Sequence, residues 1–188
     1  MNEMTSGGAV PRNIWRVVGW SLAAGMLALP FVAMQFTAEV NWTLSDFVVM
    51  GTMLATVGGA IEFLVRRSAS GAYRAGAVLA ALAGFTLIWV NLAVGMIGSE
   101  NNPANWMYAG VLAIAIGGAI VAHFRARGMA IAMIGAGLGQ AMAGGIALAF
   151  TLGTDGFGWP RDVIGTTGIW TALWLVAAAL FARAARHG

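Results

Sequence analysis

Six long apolar stretches, separated by short polar segments, dominate the pattern of hydrophobic and polar positions along the chain. They lie at Ile14–Phe36, Leu44–Val65, Ala75–Ile97, Trp106–Phe124, Met129–Leu152 and Thr166–Phe181. A helix needs about 20 apolar residues to cross a bilayer, and the sixth stretch reaches this length only when its ends are extended. The apolar character is continuous rather than alternating, which favours helices over barrel strands. The pattern predicts an all-α, polytopic membrane protein with six transmembrane helices.

The composition agrees with this prediction. Of the 188 residues, 60% are hydrophobic and 9% are charged, whereas soluble domains carry roughly a quarter charged residues. The chain therefore has too little polar surface to cover itself in water, and the lipid bilayer is its expected partner. We predict a transmembrane domain over residues 14–184, with short tails at residues 1–13 and 185–188.

The positions of the arginines predict the orientation of these helices. All ten basic residues are arginine, and nine lie before the first helix, in the second and fourth loops or after the sixth helix: Arg12, Arg16, Arg66, Arg67, Arg74, Arg125, Arg127, Arg183 and Arg186. Arg161 alone lies on the other side, where five carboxylates also fall: Glu39, Asp46, Glu100, Asp155 and Asp162. The positive-inside rule makes the arginine-rich side cytoplasmic, with both termini there. The basic balance thus reflects membrane topology and does not indicate nucleic-acid binding.

Local signals support the helix boundaries. Thr43-x-x-Asp46 is a capping-box pattern at the start of the second helix, and Pro103 and Pro160 fall near the starts of the fourth and sixth helices, where a missing N–H costs little. Aromatic residues are expected at the two membrane interfaces. Trp15 and Tyr73 would mark the inner interface, and Trp42, Trp106, Tyr108 and Trp159 the outer one.

Two glycine patterns leave alternatives open. Gly58-Gly59-Ala60-Ile61 recurs as Gly117-Gly118-Ala119-Ile120, which is either an internal repeat of three in–out–in hairpins or a chance match between glycine-rich helices. The small residues Gly135 and Gly139, and Gly51, Ala55 and Gly59, are spaced for close helix packing or for oligomerisation.

Residues that commonly carry chemistry are scarce. The chain has no cysteine and no lysine, which excludes thiolate metal sites, covalent haem attachment and a lysine Schiff base. No nucleophile and base fall together, and histidine occurs only at His123 and His187. We therefore expect no enzyme activity, no catalytic residues, no metal and no cofactor.

Six polar side chains remain as candidate functional residues: Glu62, Asn91, Glu100, Asn101, Asn102 and Gln140. Glu62 lies one turn before Arg66, so it either forms a local ion pair or acts in a proton or cation relay. Asn91 and Gln140 are the deepest polar side chains, suited either to hydrogen bonding between helices or to contact with a solute.

The outer loop with Glu100, Asn101 and Asn102 is the most polar segment between two helices. Its oxygen atoms suit a hard cation such as calcium, although polar loops that face water need no ligand. Met96 and Met107 flank this loop and suggest a copper site, but methionine is also an ordinary filler of apolar helices, and we prefer that interpretation.

Two segments carry a resemblance to a known family. The stretch from Trp89 to Asn105, WVNLAVGMIGSENNPAN, and the stretch from Asn41 to Phe47, NWTLSDF, resemble a family of small, functionally uncharacterised inner-membrane proteins of proteobacteria. The resemblance implies a bacterial inner (plasma) membrane location and a multi-pass chain. It implies no activity and assigns no functional residue.

The sequence supports two main hypotheses for function. The first is a non-catalytic assembly or accessory component of the membrane, a homo-oligomer or part of a larger membrane complex, that uses its glycine-lined faces. The second is a small-solute or ion transporter or channel with Gln140, Asn91 and Glu62 along its path. An enzyme acting at the outer leaflet through Glu100 is a distant third.

Overall fold

The structure is a computed structural model that describes residues 14–154, 156 and 158–186. The helices in this part of the chain are α1 (Ile14–Ala33), α2 (Leu44–Arg66), α3 (Gly71–Ala93), α4 (Met107–Val121), α5 (Ala126–Ala149) and α6 (Arg161–Arg186), and a 3₁₀ turn at Pro103–Trp106 leads into α4. All six, counting the 3₁₀ turn with α4, are long and apolar enough to cross a membrane. The predicted all-α, six-span architecture is therefore confirmed. The tail at residues 1–13 with Arg12, and also Asp155 and His187, lie outside the described residues.

Two helices differ in extent from the apolar stretches. α6 runs from Arg161 to Arg186, well beyond Thr166–Phe181, because charged residues extend the helix at both ends. Asp162 in the first turn and Arg183 in the last complement the helix dipole. α3 ends at Ala93, several residues before Ile97, and Gly95 soon follows with a φ of 73°, which the helix could not continue through.

The predicted capping box at α2 is formed. The Thr43 N–H donates to Oδ2 of Asp46 at 2.7 Å, and the Asp46 N–H donates to the Thr43 hydroxyl at 3.4 Å. Pro103 is the first residue of the 3₁₀ turn and Pro160 immediately precedes α6, so both prolines lie where the sequence places them.

The chain divides into two compact units, and the first ends at Gly58. It contains α1 and most of α2. Glycine allows these two helices to approach: a Cβ at Gly58 would lie 3.1 Å from the Trp20 ring, and one at Gly51 would lie 3.7 Å from Leu27. No residue of α1 is buried, so its sides are apolar surface suited to lipid.

The second unit begins at Gly59 and contains the end of α2 and the helices α3 to α6. α6 packs against α3 and α5, and α5 also packs against α4. The pair Gly135 and Gly139 contacts Ile114, because a Cβ at either position would lie 3.1–3.2 Å from that side chain. This pair therefore serves packing between α4 and α5 inside the unit.

The loops of the second unit collect at two ends. At one end the Tyr73 hydroxyl donates to the Phe124 carbonyl at 2.7 Å, which joins the α2–α3 junction to the α4–α5 turn. The Tyr73 ring also meets Phe181, near the end of α6, edge-on at 5.1 Å. At the other end Gly153 lies against Gly98 and Ile97. The arginine-bearing junctions thus share one end, and its assignment to the cytoplasm stays a prediction.

The two halves of the glycine repeat do not use equivalent faces. Gly58 contacts Trp20, whereas its counterpart Gly117 has nothing within 4 Å of a built Cβ. Conversely, Gly118 contacts Ala132, whereas its counterpart Gly59 is open. The internal repeat stays a prediction.

Candidate functional site

Glu62 forms the predicted ion pair with Arg66 near the end of α2. Both residues line an open surface groove with Gly59, Phe63 and Arg67. The Arg67 guanidinium lies over the Phe63 ring, 4.4 Å from its centroid, and 5.4 Å from that of Phe124. A salt bridge within one helix explains the presence of Glu62 in α2, so a proton or cation relay is not needed to explain it.

The outer-loop candidates Glu100, Asn101 and Asn102 make local contacts. Glu100 accepts a hydrogen bond from its neighbour Asn101 at 3.0 Å, and both side chains are exposed. Asn102 caps the 3₁₀ turn by accepting a hydrogen bond from the Ala104 N–H at 3.0 Å. Across residues 14–154, 156 and 158–186, no three His, Cys, Asp or Glu side chains lie together so that they could hold a metal ion.

Asn105, which the sequence analysis did not single out, organises this loop. Its Oδ1 accepts hydrogen bonds from the N–H groups of Met96 and Ile97 at 3.1 and 3.0 Å. Its Nδ2 donates to the carbonyls of Ile97 and Ser99 at 3.4 and 2.8 Å. One amide therefore satisfies four backbone groups of a loop that buries Met96 and Ile97. The asparagine-rich segment is therefore an ordered cap. In the sequence it is a run of turn-forming residues, which is also typical of a loop exposed to water.

Asn91 is tied to the same loop. Its Nδ2 donates to the Leu87 carbonyl at 2.8 Å and to the sulfur of Met96 at 3.2 Å. Met96 is only 2% exposed, which supports its interpretation as a core residue. Asn91 thus acts mainly in fixing the end of α3.

Gln140 on α5 is different, because it is 0% exposed and is the buried polar residue of the core. Neither its Nε2 nor its Oε1 has a hydrogen-bond partner among the described residues. An unpaired buried polar group typically costs about 1–3 kcal/mol, so two such atoms on one side chain need an explanation.

Four further side chains, on α4 and α6, also have a buried polar atom without a hydrogen-bond partner among the described residues: Tyr108, Thr167, Thr171 and Trp174. Together with Gln140 we call them the polar cluster. The hydroxyls of Tyr108 and Thr167 lie close enough to interact with each other, although neither has a partner that meets strict hydrogen-bond geometry in the described ranges. Tyr108, which was expected at the membrane interface, is 2% exposed and belongs to the core. In the sequence, the i, i+4 spacing of Thr167 and Thr171 was the signal that their hydroxyls share one face of a helix.

A second feature of the second unit is a row of small exposed residues on α6. Gly165, Gly168 and Ala172 are exposed at helical spacing, and no atom of the second unit comes within 4 Å of a Cβ built at either glycine. Gly76 and Gly118 of the same unit are covered by neighbouring helices, whereas Gly110 and Gly117 on α4 are open like the α6 pair. We call Gly165, Gly168 and Ala172 the small-residue face of α6.

No family model, curated protein or solved structure matches the chain. The function proposed below therefore rests on the residues and geometry described above.

Proposed function

We propose that the protein is a non-catalytic component of a bacterial inner membrane that assembles with a second copy of itself through the small-residue face of α6. The inner-membrane location is what the resemblance of its outer segments implies. That the chain is an integral membrane protein follows from its six apolar helices.

The observation that carries the proposal is the open glycine pair on α6. Glycine costs a helix about 1 kcal/mol relative to alanine, so a glycine in a helix is best explained by a close neighbour. In membranes such small-residue faces let two backbones approach and gain van der Waals contact. Gly165 and Gly168 have no such neighbour within the second unit. A second copy would supply one.

The transport hypothesis receives weaker support from the three residues proposed for its path. Glu62 is held in a surface salt bridge and Asn91 is tied to its own helix and loop. Of these three residues, only Gln140 is fully buried with neither polar side-chain atom hydrogen-bonded within the described part of the chain. One buried amide supports a binding site better than a continuous path.

Replacing Gly168 by leucine is expected to weaken self-association at least tenfold, because the side chain would hold the two helices apart and a tenfold loss needs only about 1.4 kcal/mol. Native mass spectrometry from lipid nanodiscs over a range of protein-to-lipid ratios would measure the fraction of dimer. The helix content by circular dichroism should stay that of the wild type.

The matched control is Gly145→Leu on α5. Gly145 is also open, but it follows the large exposed side chains of Leu138 and Met142 on the same face of α5, so leucine there should leave the dimer intact. A wild-type protein that stays monomeric at every ratio would refute the proposal, as would equal loss of dimer in the two variants.

A further inference from the structure

We infer that the polar cluster is a binding site for a small uncharged molecule that both donates and accepts hydrogen bonds. This inference is independent of self-association. It rests on the register that helix packing gives the five side chains, on how they differ from similar residues nearby, and on their lack of charge.

The packing of α5 against α6 brings the cluster together. A Cβ at Gly144 would overlap the Thr167 side chain, and one at Gly137 would lie 3.5 Å from the Cβ of Trp174. The two helices are antiparallel neighbours, so these contacts set a register in which Gln140 lies opposite Thr171. Tyr108 reaches the same region from α4, where its hydroxyl faces Thr167.

The unpaired hydroxyls of Thr167 and Thr171 contrast with those of other helical threonines in the chain. Thr52, Thr56, Thr86 and Thr166 each donate to the carbonyl four residues earlier, at 2.7–2.9 Å. This local bond is the usual arrangement for threonine in a helix. Thr167 and Thr171 do not make this local bond. The Thr167 side chain instead packs against Gly144 and interacts with the Tyr108 hydroxyl, so Thr171 is the threonine whose hydroxyl stays available to a molecule between the helices.

The tryptophans of α6 show the same contrast. Trp170 is buried and its Nε1–H donates to the Ala83 carbonyl at 3.1 Å. Trp174, one turn later and 1% exposed, has no partner for its Nε1–H in the part of the chain that the structure describes. The helix thus satisfies one buried indole N–H and leaves the other without a hydrogen-bond partner among the described residues.

The chemistry of the five side chains defines the class of ligand. Gln140 offers a donor and an acceptor, the three hydroxyls offer both, and Trp174 offers a donor. None of these side chains carries a charge at neutral pH, so neither a cation nor an anion would recover its lost hydration here. A neutral molecule with donors and acceptors, of which water is the smallest and a primary amide a larger example, would satisfy the cluster.

A first test uses the sign of a stability change. If a ligand bridges the cluster, Gln140→Met should lower the Tm in nanodiscs by about 2–4 °C, because the remaining groups lose their shared partner. In an empty cluster the same change would leave the Tm unchanged or raise it, since it removes an unpaired buried amide. That second outcome would overturn the inference.

Adjacent threonines supply a second pair of variants that does not depend on Gln140. Thr167→Val and Thr166→Val are the same chemical change, but Thr166 bonds to its own helix through the Asp162 carbonyl. We expect Thr167→Val to lower the Tm more than Thr166→Val. Equal shifts, or a larger one for Thr166→Val, would contradict the site.

A second test detects the occupant. Gln35 and Gln140 are the two glutamines of the chain, so labelling the glutamine side-chain amides gives two pairs of signals, and Gln140→Met identifies those of Gln140. Gln35 is exposed and serves as the reference. We expect a nuclear Overhauser contact from the Gln140 amide to a long-lived water, or to acetamide once that probe is added.

The two contacts distinguish the two possible occupants, since the first would show a bound water and the second a bound neutral solute. Acetate and methylammonium are charged probes of similar size and should give no contact. A contact to either charged probe, or the absence of any contact to water and acetamide, would overturn the inference.

Discussion

Asn105→Ala is expected to lower the free energy of unfolding by about 2–4 kcal/mol, because it removes one amide that binds four backbone groups. Those groups belong to Met96, Ile97 and Ser99. Ile97 is fully buried, so its N–H has no ready access to water in place of the lost bond. We also expect faster hydrogen exchange across residues 94–102. Unfolding in mixed detergent would measure the energy, and mass spectrometry the exchange.

Asn101→Ala is the matched control for this change. Asn101 is exposed and its side chain bonds to Glu100, so its removal should cost less than about 0.5 kcal/mol. A similar small loss for Asn105→Ala would show that the loop does not depend on the asparagine amide.

Gly118→Ala and Gly117→Ala are expected to change stability in opposite directions although the residues are neighbours. A Cβ at Gly118 would lie 2.6 Å from the Cβ of Ala132 and 3.2 Å from its Cα. Neither atom can rotate away, so α4 and α5 must separate, at a cost of about 1–3 kcal/mol. At Gly117 no described atom of the second unit lies within 4 Å of such a Cβ, and alanine should stabilise the helix by up to about 1 kcal/mol.

The pair can be measured by thermal unfolding of both variants beside the wild type in the same lipid. Gly118→Ala should have the lower Tm and Gly117→Ala a Tm at or above that of the wild type. Equal tolerance of alanine at both positions would contradict the close contact between α4 and α5 at Gly118.

Much of the fold could be predicted because a bilayer imposes strict rules. The apolar length of each helix and the capping box at Thr43 and Asp46 were visible in the sequence and are present in the structure. The extent of α6 was underestimated, because the apolar stretch stops short of Asp162 and Arg183. A helix continues through such charged residues when their charges complement its dipole.

The interior was harder to predict, because the sequence does not show whether a polar or aromatic residue faces lipid or protein. Gln140 was recognised because an amide inside an apolar stretch is unusual. Tyr108 was assigned to an interface, although it is buried against α6. Trp174 gave no separate signal, and only the register between α5 and α6 places Thr171 opposite Gln140.

The central claim is that the chain crosses a membrane six times and separates two polar ends. The chain has no cysteine, so a single introduced thiol reports on one position without background. Exposed positions are available at Ala69 on the arginine-rich end, and at Asn101 and Thr154 on the other. Each would be replaced by cysteine and treated with a membrane-impermeant maleimide on intact spheroplasts. We predict that Asn101→Cys and Thr154→Cys are labelled at once and Ala69→Cys only after the membrane is opened. Labelling of Ala69→Cys and Asn101→Cys from the same side would contradict the account.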